Sequence, residues 1–424
     1  MPGPAAAELA EFSRILGLLR ALPADDPRRL RAEREAESFS RDGRRARGSA
    51  RRQAEAAADR ALAAATRLGA AQRRPGVAVE APPAPTVLGE LHGAWPCYVC
   101  GRAYRQVDGF YHRLCPACAA ENLARRRAST ELAGRRALVT GGRVKMGFQL
   151  ALKLLRDGAH VTVTTRFPGD AADRFGAVED SARWLDRLDI VGIDLRDPRR
   201  VLEFCDRLAE AGRPLDILVN HAAQTVRRSD ASYAALAARE LLPAGASVDG
   251  ALDVDASGLL PDPASSNSWS ARLGELDPTE ILETQLVNAV APALLCDRLL
   301  PLLLASPHPR RYIVNVSALE GRFEARAKTS RHPHTNMAKA ALNMLTRTSA
   351  ADLAAHGVYM CAVDTGWVTN ENPEPKKARM AEIGFQTPLD VVDGAARIYD
   401  PIVRGEAGSP VWGVLLKDYR ETSW

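Results

Sequence analysis

The chain has 424 residues, 46% of them hydrophobic, with 57 Lys plus Arg against 52 Asp plus Glu and a formal net charge of +5. At roughly 100–200 residues per domain, that length allows two or three domains. Residues 1–85 hold 16 arginines and 11 carboxylates, leaving 41 charges of each sign for the rest, and a neutral body argues against a dedicated nucleic-acid binder, which concentrates positive charge on its folded domain.

Residues 1–74 are Ala- and Arg-rich, with helical patterns over 8–22 and 28–68 but few large apolar residues outside Leu9, Phe12, Ile15, Leu16, Leu18 and Leu19. They read as a helical or disordered arm, available to a protein partner or to nothing beyond solubility. Glu8 and Glu11, with no basic stretch ahead of an apolar one, do not fit a secretory signal. Residues 75–94, containing RPGVAVEAPPAPTVLGE, are Pro-rich and read as a semi-rigid linker.

Residues 95–127 carry Cys97 and Cys100 as one Cys-x-x-Cys pair and Cys115 and Cys118 as a second. Two such turns can present four thiolates to one tetrahedral ion, most often structural zinc, which would stabilise a module too small for a full core. The aromatic residues Tyr98, Tyr104, Phe110 and Tyr111 form its expected core, and His112 is expected at the surface or beside the metal site rather than as a ligand. The other three cysteines, Cys205, Cys296 and Cys361, are scattered, so a disulfide framework is not expected and a reducing, cytoplasmic setting is.

From residue 131 onward, apolar strands alternate with amphipathic helices. Strands are expected over 136–142, 160–166, 188–195, 214–220, 310–318, 357–365 and 411–416, and helices over 148–157, 198–211, 280–304 and 335–355. This pattern predicts an α/β fold with a Rossmann-like, doubly wound parallel sheet whose ligand lies at the carboxyl ends of the strands. The most apolar stretch, 285–306, is interrupted by Asp297 and Arg298, so no membrane span is expected. Residues 224–278 form a long insertion, read as a lid over a small-molecule substrate or a docking surface.

The first of these strands runs into TGGRVKMG, residues 140–147, where glycine permits a tight turn and the following helix start can receive a pyrophosphate. Together with residues farther along the chain, this loop resembles the short-chain dehydrogenase/reductase family over residues 131–424. The resemblance implies an NAD(P)-dependent oxidoreductase. It matches Thr140, Gly141 and Gly147 to the family's loop, with Arg143 and Met146 beside them and Lys145 in the middle glycine's place. It matches Asp194 and Leu195 to the adenine site and Asn220 and Ala222, in VNHAA, to the family's NNAG. Gly366, Val368 and Thr369 in DTGWVT correspond to the segment that closes over the nicotinamide, and Asn288 to the helix asparagine of the proton relay. Thr164, Thr165 and Arg166, in place of an acidic residue at the second strand's end, favour NADP(H) over NAD(H), as does Arg143.

The catalytic set departs from the family. Lys339 stands at the family's lysine, but Thr335 replaces the tyrosine four residues earlier, and Ala318, beside Ser317, takes the serine's place. An aliphatic hydroxyl cannot exchange a proton at neutral pH as a lysine-assisted phenol does. His334, His332 or His221 could take over that role. Two functions are then open: an oxidoreductase with an atypical site, or a catalytically inactive NADP(H)-binding protein acting as a sensor or scaffold through its zinc module and arm. The resemblance also implies a homo-oligomer.

Overall fold

The computed structural model describes residues 5–74, 76–228, 233–240, 264–325 and 328–424. They divide into two units, residues 1–61 with Leu91–Gly93 and residues 62–90 with 94–424. The first consists of helix α1 (Ala6–Arg20) and most of α2 (Pro27–Ala64). Helix α1 buries none of its residues and leaves Leu9, Phe12 and Leu18 more than half exposed. It is therefore an amphipathic helix with a solvated apolar stripe.

Past the helices runs an antiparallel hairpin of β1 (Val87–Pro96) and β2 (Ala103–Asp108), which apart from Leu91–Gly93 belongs to the second unit, followed by α3 (Pro116–Arg126). Composition reads residues 75–94 as a spacer, yet from Val87 the chain is already a paired strand. Upstream of it, the Val79 N–H bonds Asp390, and the Arg73 guanidinium bonds the Thr387 and Leu389 carbonyls.

The sheet strands are β3 (Arg136–Thr140), β4 (His160–Thr165), β5 (Leu188–Gly192), β6 (Ile217–Asn220), β7 (Arg311–Ser317), β8 (Val358–Asp364), β9 (Leu415–Lys417) and β10 (Arg420–Thr422). Their order is β10-β9-β8-β7-β6-β3-β4-β5, parallel throughout except for the β9/β10 edge. Every residue of β6 and β7 is buried, as a sheet covered on both faces requires. One face carries α4 (Lys145–Arg156), α5 (Pro168–Gly176) and α12 (Val391–Glu406), with Leu150, Leu154, Phe175, Ile398 and Ile402 in the core. The other carries α6 (Pro198–Glu210), α9 (Ala291–Leu304) and α10 (Pro333–Ala355), with Val201, Phe204, Leu295, Leu299 and Leu353. This is the doubly wound α/β fold that the sequence predicts, and strand order reverses between β3 and β6, where such sheets hold ligands.

The remaining α-helices among the described residues are α7 (Ala234–Arg239), α8 (Pro278–Gln285) and α11 (Glu374–Glu382). Helix α8 continues through a π-helical turn, Leu286–Val290, into α9. The run Pro278–Leu304 is, among the described residues, the one helical stretch long and apolar enough to cross a membrane. Here Leu295, Leu299 and Leu303 are packed into the core. Of the 224–278 insertion, residues 229–232 and 241–263 lie outside the described residues.

The Cys-x-x-Cys module packs on α12. Arg126 of α3 pairs with Asp390 and Asp393, the Tyr111 hydroxyl donates to Asp393 at 2.6 Å, and Arg125 pairs with Asp400. His112 is buried, with its Nε2 3.3 Å from the Gln386 carbonyl.

Candidate functional site

A cavity of about 760 Å³ opens at the carboxyl ends of the sheet. At its centre, β3 ends on Thr140, whose hydroxyl accepts the N–H groups of His221 and Ala222, each at 3.0 Å. Thr140 thus fixes the β6 exit against the β3 exit at the reversal point of the sheet. Gly141 turns at φ +75°, and a Cβ there would lie 3.0 Å from the Ala222 Cα. Gly147 lies one turn into α4, so close that a Cβ would stand 2.3 Å from the Gly141 carbonyl oxygen. Helix α4 has no side-chain cap, which leaves its first N–H groups for a ligand.

Lys145, in the left-handed region at φ +52°, reaches across the cavity wall to Glu371, Nζ to Oε1 3.4 Å, and Thr369 donates to the same carboxylate oxygen at 2.9 Å. The Lys145 charge holds the Glu371 carboxyl below its ordinary range. Met146 lines the cavity and packs on Gly394 of α12.

At one end, Asp194 and Leu195 line the cavity, with Asp194 held by Arg196 at 2.6 Å. The Arg166 guanidinium lies over the Tyr233 ring, 4.3 Å from its centroid. Arg143 also borders the cavity, but its Nη1 pairs with Asp170 at 2.6 Å. Its expected part in phosphate recognition is therefore shared with a carboxylate that a glance at residues 140–147 does not reveal.

At the opposite end, Lys339 lines the cavity and its ammonium donates to the Val316 carbonyl at 2.7 Å. Burial pulls its pKa down to about 8, with Glu320 acting in the opposite sense. Gly366 turns at φ +77° with its N–H on Asp364, and Val368 and Thr369 follow it along the wall.

Other predicted residues stand behind this wall. Asn220 bonds Asn315 at 2.8 Å, and Asn288 grips both backbone groups of Gln224, accepting its N–H at 2.7 Å and donating to its carbonyl at 2.9 Å. Thr335 and His334 are buried and contact one another at 3.4 Å, and neither lines the cavity. Ser317 and Ala318 are both in the wall, and the Ser317 hydroxyl donates to Asn343 Oδ1 at 2.6 Å. His332 stacks on Trp269, which itself borders the cavity. Gln224 to Arg228, Tyr233 and Leu236 bring described parts of the insertion to the same wall.

His221 sits on the cavity wall with Nδ1 3.2 Å from the Thr140 carbonyl, and burial lowers its pKa from the ordinary 6.5 to about 4. An unfolded imidazole takes its proton near 6.5 and the folded one near 4, so this contribution to stability is complete above pH 6.5 and is lost as pH falls toward 4. Because the ring borders open solvent in the cavity, the expected loss is on the order of 1–3 kcal/mol. Urea unfolding at pH 7 and 4.5 measures it, and His221→Gln should flatten the difference.

Sequence reasoning passed over Tyr98, Glu320, Asp364, Glu371 and Lys417, all of which line the cavity. Tyr98 comes from the cysteine module, where an aromatic residue among so few apolar ones reads as core. Lys417 pairs with Asp364 at 3.3 Å, a contact between β8 and β9 that follows from sheet order. The four cysteine Sγ atoms lie within 4.8 Å of one another, and Cys100 and Cys115 are 3.8 Å apart. A tetrahedral ion with bonds of about 2.3 Å separates its sulfurs by about 3.8 Å, so the donor set fits zinc.

The family pattern for short chain dehydrogenase matches residues 135–242, and that for enoyl-(acyl carrier protein) reductase matches 250–389. An uncharacterised protein, R665, of Acanthamoeba polyphaga mimivirus is 32% identical over 335 residues, covering 72% of this chain and 71% of the relative. The C-signal protein of Myxococcus xanthus is 29% identical over 129 residues, 30% of this chain and 75% of that protein. A short-chain dehydrogenase from Burkholderia cenocepacia, solved in complex with NADP, is 25% identical with a TM-score of 0.48, covering 68% of this chain and 96% of that one. On the sequence matches, and with a reversal-point cavity built on Thr140, Gly141 and Gly147, the chain belongs to the short-chain dehydrogenase family.

Proposed function

We propose that the protein is an NADP(H)-dependent oxidoreductase acting on a small carbonyl or hydroxyl compound, with a structural zinc ion in its cysteine module. One observation carries this reading: a single cavity joins the Gly141–Gly147 loop, Arg166 and Asp194 at one end to Lys339 and Gly366 at the other. The uncapped start of α4 and the glycine turn would take the diphosphate, Arg166 the 2′-phosphate, and Asp194 with Leu195 the adenine. Lys339, fixed by the Val316 carbonyl, would hold the ribose next to the nicotinamide. The bound nicotinamide supplies the hydride. The chain supplies orientation, a cationic wall from Lys339 and Lys417, and shielding by the insertion residues Gln224 to Arg228 and Trp269.

A second reading, the inactive NADP(H)-binding sensor or scaffold, is favoured by the burial of Thr335 and His334 away from the cavity. One assay separates the two. Loss of NADPH absorbance with a panel of aldehydes, ketones and enones, reduced at least tenfold by Lys339→Ala, supports the enzyme. Binding of NADPH with no turnover across the panel supports the scaffold.

For the metal, Cys118→Ser is expected to abolish stoichiometric zinc and to lower the unfolding midpoint, because a structural site contributes its binding energy to folding. Metal analysis beside a melting curve checks both. Full-length protein that melts at the same temperature after zinc removal refutes the assignment.

A further inference from the structure

We propose that Tyr98, carried by the first Cys-x-x-Cys turn, is a ligand-binding residue of the cavity, its hydroxyl donating a hydrogen bond to a carbonyl oxygen at the Lys339 end. The oxygen belongs to the nicotinamide carboxamide or to the carbonyl compound that accepts the hydride. The inference rests on the NADP(H) reading above and extends it to a module that the sequence treats as separate.

Tyr98 lies in the cavity wall, and its hydroxyl oxygen accepts the Trp367 N–H at 2.7 Å. A Cβ on Gly366 would stand 3.3 Å from that oxygen, so the phenol abuts the turn between β8 and Val368. The bond from Trp367 uses a lone pair and leaves the phenolic proton. Among the described residues that proton has no acceptor. A phenol is both donor and acceptor, and a half-buried donor beside a cavity is satisfied by whatever the cavity holds. The ring is also fixed before any ligand arrives. The Tyr98 N–H donates to the Arg113 carbonyl at 2.8 Å, and the Lys417 ammonium lies 5.9 Å from the ring centroid. Arg126 and Tyr111 bind the module to Asp390 and Asp393 of α12. Little ordering entropy is left to be lost on binding, which is what preorganisation of a binding group means.

The test uses the full chain and Tyr98→Phe, which keeps the ring. Probes are NADPH, 2′,5′-ADP, which retains the phosphorylated adenosine but has no nicotinamide, and 4-nitrobenzaldehyde as hydride acceptor. Loss of one hydrogen bond is expected to cost roughly fivefold to tenfold in affinity. A weakened NADPH complex with unchanged 2′,5′-ADP binding and unchanged zinc content assigns the bond to the carboxamide. Unchanged NADPH affinity with a KM for the aldehyde raised by that factor assigns it to the acceptor. Equal weakening of NADPH and 2′,5′-ADP overturns the proposal, as does an altered tryptophan emission of the unliganded variant, which would trace the effect to the Trp367 segment. So does the absence of any shift in NADPH affinity and KM, and if the wild-type chain does not turn the aldehyde over, the NADPH comparison decides alone. Wild-type protein that binds neither nucleotide refutes the cofactor reading itself, a result distinct from any of these.

Discussion

Replacing Arg126 by methionine is expected to cost about 3–5 kcal/mol of stability, the range for removing one partner of a buried charge cluster. Its guanidinium touches Asp390, through Nη1 and through Nη2 at 2.8 Å, and Asp393 at 3.1 Å, and the side chains of both aspartates are fully buried. Burial acts to raise the Asp390 pKa, and Arg126 more than offsets it, leaving the group below its ordinary value. Asp393 is pushed up by burial, with Asp390 adding to the effect. Without the arginine, two carboxylates face each other in a site closed to water. Each must then be protonated or expose itself, and the module loses one of its ties to α12, with Tyr111–Asp393 and Arg125–Asp400 left. Urea unfolding with Arg126→Met and Arg126→Lys measures this, and lysine should recover part of the loss because it restores charge without the forked geometry. The exposed pair Arg14–Glu11 is the contrast, where Arg14→Met should leave the unfolding midpoint essentially where it is, because solvent screens the pair. Arg126→Met that unfolds at the wild-type midpoint would show that the cluster does not carry the docking.

Gly147→Ala is expected to weaken NADPH binding by roughly 10- to 100-fold, the equivalent of overpacking by about 1–3 kcal/mol at the loop. The added methyl would stand 2.3 Å from the Gly141 carbonyl oxygen and 2.8 Å from His221 Nδ1. Neither neighbour can yield freely. The N–H groups of Gly141 and Gly142 are bonded to the Thr164 carbonyl, and His221 is held through Thr140. The strain must therefore pass into the turn and the start of α4, where the diphosphate would rest. Gly176→Ala provides the control, since nothing lies within 4 Å of a Cβ there. Fluorescence titration of both variants checks the pair, and equal affinities would place the nucleotide elsewhere.

Much of the fold is legible in the sequence because β3, β6, β7 and β8 are short, largely buried apolar runs, and amphipathic helices such as α4 and α6 lie between strands. The loop at residues 140–147 is legible for a local reason, since glycines at 141 and 147 are demanded by contacts within a few residues of chain or at the exit of the adjacent strand. The features that escape a reading of the sequence depend on distant partners. Tyr98 meets Trp367 across 269 residues, and no period or spacing within the cysteine module signals that contact. Strand β1 lies behind a proline-rich stretch whose composition masks its pairing with β2. The i,i+4 spacing of Thr335 and Lys339 puts both on one helix face, yet the cavity reaches Lys339 and stops short of Thr335, whose hydroxyl faces His334. Arg143 shows the limit of reading charge locally, because a carboxylate that pairs with it, Asp170, is supplied by the first turn of α5.

Equilibrium titration of the full chain with NADPH and NADH, followed by nucleotide fluorescence, asks whether the cavity between the Gly141–Gly147 loop and Lys339 holds NADP(H). Saturable one-to-one binding of NADPH is expected, at least tenfold tighter than NADH, with the preference lost in Arg166→Ala. A flat titration with both nucleotides would rule this cofactor site out.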